Sequence, residues 1–203
     1  MNFRNILFGA LTSAVLLAVP VMAGAVTLGS GPDTENLSNV GTSDPVAVNL
    51  DASHSYDLAT ICGGGGSPQW TTIYGTLYEQ MWDDGAIPNP HYQFLYHITL
   101  TSGSDSINEV ITQDYSLCGG CSLDVDYFGS ATNPAPATAS RSTNNKAIQW
   151  SLTTAITAGT TSQTWFADTG ATNYANASGI GYIFITGSNG NCTVTSTAYY
   201  PHT

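Results

Sequence analysis

The stretch from residue 91 to residue 101 constrains the fold most, because nearly every second residue in it is apolar. The apolar positions are Tyr92, Phe94, Tyr96, Ile98 and Leu100. Successive side chains of a β-strand point to opposite faces, so this period of two predicts a strand with one buried face. Residues 69–82 alternate in the same way, and residues 83–90 between the two are rich in turn formers. The sequence therefore predicts a long antiparallel hairpin with an eight-residue loop.

The rest of the chain repeats this alternation in shorter segments that are separated by Gly, Pro, Asn and Asp. They cover residues 107–112, 123–128, 148–153, 161–167, 181–186 and 193–199. Alternation at Tyr56 and Leu58 predicts one more strand before Cys62. Roughly ten strands and no sustained helical periodicity predict an all-β fold, a single antiparallel β-sandwich of the jelly-roll type over residues 45–203. Residues 26–44 are rich in Gly, Ser, Asn and Asp, and we expect a loosely ordered N-terminal segment there.

Residues 1–25 have the layout of a secretory signal peptide. Arg4 precedes an apolar run over residues 6–21, and small residues follow at positions 23–25. A membrane anchor needs about 20 apolar residues, whereas this run is interrupted by Gly9, Thr12, Ser13 and Pro20. We therefore predict cleavage after Ala25 and a mature protein that is secreted, in the periplasm or the extracellular medium of a bacterium.

The charge of the mature chain excludes some classes of partner. After cleavage the chain keeps two basic residues, Arg141 and Lys146, and all fourteen carboxylates, so its net charge is 2 − 14 = −12. Such a chain cannot neutralise phosphates, so we expect no nucleic-acid partner. The same charge repels anionic lipid headgroups, and no later apolar segment reaches membrane-spanning length, so we expect no membrane insertion after cleavage.

The mature chain has four cysteines, at positions 62, 118, 121 and 192. An even number in an oxidising compartment favours disulfides, and four cysteines allow three pairings. Two glycines between Cys118 and Cys121 allow the backbone to close a tight ring, so we predict a bridge there. The strand-like residues on both sides favour this bridge over a redox dithiol or a metal site. Cys62 and Cys192 then remain, and we predict that they pair.

Glu79 is the residue to examine for catalysis. Glycoside hydrolases use two carboxylates that face each other across the scissile bond. Glu79 shares a strand face with Leu77 and Met81, which predicts partial burial and a raised pKa. A partner is harder to find, and Glu109 on a neighbouring predicted strand is the candidate. We therefore expect no catalytic site, and keep a glycoside hydrolase that uses Glu79 as the alternative.

Two further sets of residues are candidates for ligand binding. Tyr74, Tyr78 and Trp82 line one face of the first hairpin strand, where such a stripe either binds sugars or packs in the core. We expect the core. Asp124 and Asp126 share a face of another strand, where their mutual repulsion favours either solvent or a calcium ion. We expect solvent, with calcium as the alternative and no other cofactor.

A series of short segments gives the chain a family resemblance over roughly residues 70–186. The segments lie at residues 75–80, 92–96, 105–107, 124–127, 141–142, 148–150, 158–162 and 168–174. In this order they resemble the ectodomain of bacterial PEP-CTERM proteins, which are exported and sorted by an exosortase. The sorting tail of that family is not found before the chain stops at Thr203, so we expect free secretion.

The resemblance implies no catalytic residues. Together with the absence of a catalytic constellation and a composition rich in Ser, Thr and Asn, it favours a non-enzymatic secreted or cell-surface protein of the bacterial extracellular matrix or envelope, whose molecular role the family leaves undefined. Its partners would be extracellular polysaccharide or matrix proteins. The alternative is a secreted β-sandwich protein that binds or hydrolyses carbohydrate.

Overall fold

The computed structural model describes residues 25–41, 48–63, 73–85, 88, 90–118 and 123–202. Its elements in chain order are β1 (Val26–Leu28), β2 (Asp33–Asn36), β3 (Asn49–Asp57), α1 (Leu58–Cys62), β4 (Ile73–Asp83), β5 (Tyr92–Gly103), β6 (Ile107–Gln113), a 3₁₀ turn (Ser116–Cys118), β7 (Leu123–Phe128), β8 (Pro136–Arg141), β9 (Ala147–Ile156), β10 (Thr160–Thr161), β11 (Thr164–Thr169), β12 (Asn173–Ala175), β13 (Tyr182–Gly187), β14 (Gly190–Thr195) and β15 (Tyr200–His202). The predicted signal peptide lies outside these residues, except for Ala25.

Two antiparallel sheets pack face to face and confirm the predicted all-β sandwich. The first sheet has the strand order β1-β7-β11-β5-β4-β3, with β10 beside β5. The second has the order β14-β13-β6-β9-β8-β2, and β12 and β15 form a separate pair. The described strands number fifteen against the roughly ten predicted, because several are too short for a period of two to be visible.

The predicted hairpin is formed by β4 and β5, and it supplies the middle of the first sheet. Leu77 pairs with Ile98, and Trp82 pairs with Gln93 at the loop end. Leu77 and Ile98 are completely buried and face the second sheet. Across the sandwich, the rings of Trp150 and Trp165 lie 6.4 Å apart and join the two sheets in one core.

Two local predictions were wrong. Residues 26–44, expected to be loosely ordered, contain β1, which pairs with β7, and β2, which pairs with β8. Main-chain hydrogen bonds at a sheet edge need no apolar pattern, so polar sequences such as that of β2 can supply edge strands. The strand predicted before Cys62 ends at Asp57, and α1 begins at the next residue, Leu58. The Asp57 carboxylate accepts a hydrogen bond from the Ala59 amide at 3.1 Å and caps this helical turn.

A disulfide closes one side of the sandwich. Cys62 at the end of α1 is bonded to Cys192 on β14, with the two Cα atoms 5.7 Å apart, as predicted. It therefore joins the β3 edge of the first sheet to the β14 edge of the second. The predicted Cys118–Cys121 bridge lies outside the described residues. None of the helices in the described part of the chain has the length and apolar character that crossing a bilayer requires.

Candidate functional site

The aromatic stripe of β4 faces away from the core, contrary to the prediction. Tyr74 is 51% exposed, and Tyr78 and Trp82 are partly buried on the outer face of the first sheet. The inner face of the same strand carries Leu77 and Met81, both completely buried. Because neighbouring residues of a strand point in opposite directions, the aliphatic side chains and the aromatic stripe cannot both be in the core.

We call Tyr74, Tyr78 and Trp82, together with His97 of β5, the aromatic face. The rings of Tyr78 and His97 are stacked, with centroids 4.5 Å apart and planes inclined by 16°. Trp82 packs at its edge against an outer apolar cluster that contains Leu95. Successive aromatic side chains of β4 are four residues apart, or about 13 Å along a strand. A ligand that contacts two of them must be longer than one sugar ring.

Polar side chains surround these rings. The exposed residues Ser53 and Ser55 of β3 pair with Gln80 and Tyr78, respectively. On the other side, the Thr99 hydroxyl lies 3.0 Å from the Thr161 hydroxyl. The aromatic face is therefore bordered by uncharged hydroxyl and amide groups and by the exposed carboxylate of Asp57, which pairs with Thr76.

Glu79 lies on the inner face of β4 beside Leu77, and it is completely buried where partial burial was predicted. One carboxylate oxygen, Oε2, accepts a hydrogen bond from the Tyr56 hydroxyl at 2.8 Å. The other, Oε1, accepts one from the backbone amide of Tyr199 at 3.0 Å. Burial raises the pKa of Glu79 to about 8, although both hydrogen bonds favour the ionised form. The predicted rise of this pKa is confirmed.

His54 of β3 links the two residues that bind Glu79. Its Nδ1 atom lies 3.2 Å from the Tyr56 hydroxyl, and its Nε2 atom lies 3.4 Å from the Tyr199 hydroxyl. The imidazole also stacks on the Tyr199 ring, with centroids 4.7 Å apart. We call Glu79, Tyr56, His54 and Tyr199 the Glu79 cluster.

A second group of buried hydroxyls lies beside the Glu79 cluster. Tyr96 pairs with Glu79 across β4 and β5, and its hydroxyl lies 3.1 Å from that of Tyr115. Burial raises the pKa of Tyr115 to about 12 and that of Tyr96 well above its usual value. The Thr112 hydroxyl donates to Tyr115 and accepts a hydrogen bond from the Trp150 indole. These polar groups are thus bonded to one another inside the core.

Glu109 does not face Glu79. It lies on β6 in the other sheet, where its carboxylate accepts hydrogen bonds from Gln149 at 2.5 Å and Thr186 at 3.3 Å. Glu109 alternates with the completely buried Val110, so it points outward whereas Glu79 points inward. The structure therefore does not bring these two carboxylates together across a groove.

Asp124 and Asp126 share the outer face of β7, but Asp126 is completely buried rather than solvated. Its carboxylate accepts hydrogen bonds from the amides of Ser38 at 2.7 Å and Tyr127 at 3.1 Å, and burial raises its pKa. Asp124 accepts a hydrogen bond from Thr27 at 2.5 Å. The described residues contain no group of three or more His, Cys, Asp or Glu side chains that could hold a metal ion. Calcium binding stays a prediction.

No protein-family model matches this chain, and neither a curated protein nor a solved structure does. The resemblance to PEP-CTERM ectodomains therefore stays a prediction.

Proposed function

We propose that this chain is a non-enzymatic, extracytoplasmic protein of the bacterial envelope or extracellular matrix that binds uncharged polysaccharide. The observation that carries the proposal is the position of the aromatic face. Tyr74, Tyr78 and Trp82 lie on the solvent side of a sheet whose inner side is already filled by aliphatic residues. Aromatic rings pack against the apolar faces of sugars, and the tyrosine hydroxyl and tryptophan N–H bond to groups at the wet edge.

The charge distribution supports an uncharged ligand. Beyond residue 25 the cations are Arg141 and Lys146, both associated with the second sheet. Arg141 donates to the Gly29 carbonyl at 3.2 Å, and the Lys146 ammonium lies 3.3 Å from the Asp114 carboxylate. A polysaccharide rich in uronate or sulfate would find no positive charge on the aromatic face to offset the repulsion of an acidic protein.

The disulfide supports an extracytoplasmic location. Disulfides persist in the periplasm and outside the cell and are rare in the reducing cytosol. Cys62–Cys192 is placed between two sheet edges, where it has a structural role. The predicted signal peptide and the resemblance to exported proteins favour the same compartment.

The test of this proposal is a binding measurement on the aromatic face. We expect Tyr78→Ala to weaken binding to an uncharged polysaccharide about tenfold, because truncating a central aromatic contact costs more than about 1 kcal/mol. Affinity electrophoresis in gels containing dextran, mannan or β-glucan would measure this, with alginate as the acidic comparison.

Tyr182→Ala is the matched control. Tyr182 is a partly buried tyrosine stacked on Phe184 of β13 in the second sheet, with ring centroids 5.6 Å apart. We expect this variant to bind like the wild type. Equal losses in both variants, or no retardation by any uncharged polysaccharide, would contradict the proposal. Hydrolysis of any of these polymers that Glu79→Gln abolishes would contradict its non-enzymatic part.

A further inference from the structure

The backbone near the C-terminus is held by a side chain of the first sheet. The C-terminal segment (residues 196–202) contains Tyr199, whose amide donates to Glu79 across a sequence separation of 120 residues. Next to it, the Ala198 amide donates to the Gly181 carbonyl at 3.1 Å. A Cβ atom at Gly181 would lie 2.0 Å from the Ala198 carbonyl oxygen, so only glycine allows this close approach. The segment therefore packs tightly over the Glu79 carboxyl.

Among the groups that face Glu79, His54 is the one that can carry a positive charge. Tyr56 and His54 face it from β3, and Tyr96 faces it from β5. Tyr115, which follows β6, and Tyr199 of the C-terminal segment complete its surroundings.

The nearby charges do not favour ionisation of Glu79 either. The negative charge of Asp51 helps to raise the pKa of Tyr199, so the charge nearest the C-terminal segment is also an acidic one. Arg141 and Lys146 are engaged elsewhere. An ionised Glu79 therefore lies among hydrogen-bonding groups without a lysine or arginine to balance it.

We propose that Glu79 is a proton-controlled latch: its protonated carboxyl holds the C-terminal segment against the sandwich, and loss of the proton releases that segment. The latch is independent of polysaccharide binding, which uses the opposite face of the sheet.

The hydrogen bonds of the cluster fit both protonation states at different cost. In the protonated state Oε2–H donates to Tyr56, the Tyr56 hydroxyl donates to Nδ1 of His54, and Oε1 accepts from the Tyr199 amide. In the protonated state Nε2–H of His54 donates to the Tyr199 hydroxyl. In the ionised state His54 changes to its Nδ1–H tautomer and donates to Tyr56, so that Tyr56 donates to Oε2 and Tyr199 donates to Nε2. The bonds survive, but a net charge is then buried in the core, which costs far more than burying the neutral acid.

Release of the C-terminal segment would bring water to that charge, and it would break the short pairing of β15 with β12 and the Ala198 and Tyr199 main-chain bonds. The other sides of Glu79 are β3 and β5, which are paired with β4 over most of their length, and the packed core. Burial places the pKa of Glu79 at about 8, while the pKa values of Tyr56 and Tyr199 are raised. Glu79 therefore ionises before either tyrosine as pH rises.

The Tyr199 amide is the direct reporter of the latch. Its hydrogen-exchange protection factor, corrected for the intrinsic pH dependence of exchange, can be measured by NMR on the full chain between pH 6 and 9. We expect protection in the wild type to fall about tenfold or more through the ionisation of Glu79. Glu79→Gln should show no such step, because an amide can donate to Tyr56 and accept from Tyr199 as the protonated acid does. A step of equal size in this variant, or no step in the wild type, would overturn the proposal.

Two more variants keep the test decisive. Tyr56→Phe removes a hydrogen bond that favours the ionised carboxylate, so the step should move to higher pH; a move to lower pH would overturn the latch. Glu109→Gln changes a glutamate on the outer face of the other sheet and should keep the wild-type step. Loss of the step in that control would assign it to a different group.

Discussion

Replacing both Cys62 and Cys192 by alanine is expected to lower the free energy of unfolding by about 4 kcal/mol. The two residues are 130 positions apart in sequence, so their bond restricts most of the unfolded chain. Loop-closure entropy of this size lies within the range of about 2–5 kcal/mol that is lost when native disulfides are removed. Both cysteines are buried, and alanine avoids placing an unpaired hydroxyl between the sheets.

Urea unfolding followed by tryptophan fluorescence would measure this loss, since Trp150 and Trp165 are completely buried. A reducing agent is the matched control. It should lower the unfolding free energy of the wild type towards that of the double variant, and it should change the unfolding free energy of the variant much less. A loss below about 1 kcal/mol would mean that the bridge restrains an already compact unfolded state.

The second large effect concerns the dependence of stability on pH. Relative to Glu79→Gln, the wild type is expected to lose on the order of 4 kcal/mol of unfolding free energy between about pH 5 and pH 8. Burial raises the pKa of Glu79 from 4.5 to about 8 in the folded protein. Between these two values the folded state binds a proton that the unfolded state has lost. Stability therefore falls as pH rises, by about 1.4 kcal/mol per pH unit, and levels off above the folded-state pKa.

Urea unfolding at several pH values would measure the difference between the two proteins, because other titrating groups contribute to both. The unfolding free energy of Glu109→Gln should change with pH in parallel with that of the wild type. The carboxylate of Glu109 bonds to Gln149 and Thr186 on the outside of the second sheet. Parallel curves for the wild type and Glu79→Gln would contradict the expectation.

The fold class could be predicted because the alternation of side chains is a local property. Residues 91–101 have a period of two that only a half-buried strand satisfies, and the position of Glu79 beside Leu77 predicted its burial. Shorter strands could not be predicted in this way. β2 (Asp33–Asn36) is polar throughout and is a strand only because β8 lies beside it.

The choice of which face of β4 is buried depended on the partner sheet. Alternation divides this strand into an aliphatic face and an aromatic face, but it does not say which of them meets the second sheet. Tyr78 and Trp82 were expected inside because aromatic residues bury large apolar areas. In the fold, the aliphatic face fills the space opposite the second sheet, and the tyrosine hydroxyl and indole N–H groups stay near water.

By itself the sequence determined an all-β chain with a long central hairpin, a paired Cys62 and Cys192, and an inward-facing Glu79. The tertiary structure alone decided what meets Glu79: Tyr56 and His54 reach it through the register of β3, and Tyr199 reaches it from the far end of the chain. It also covered Asp126 with Ser38 of the N-terminal segment. The physical reason is the range of the interactions. Alternation and turn formation act between neighbours in sequence, whereas register, burial and the pKa of a carboxyl depend on residues that only folding brings together.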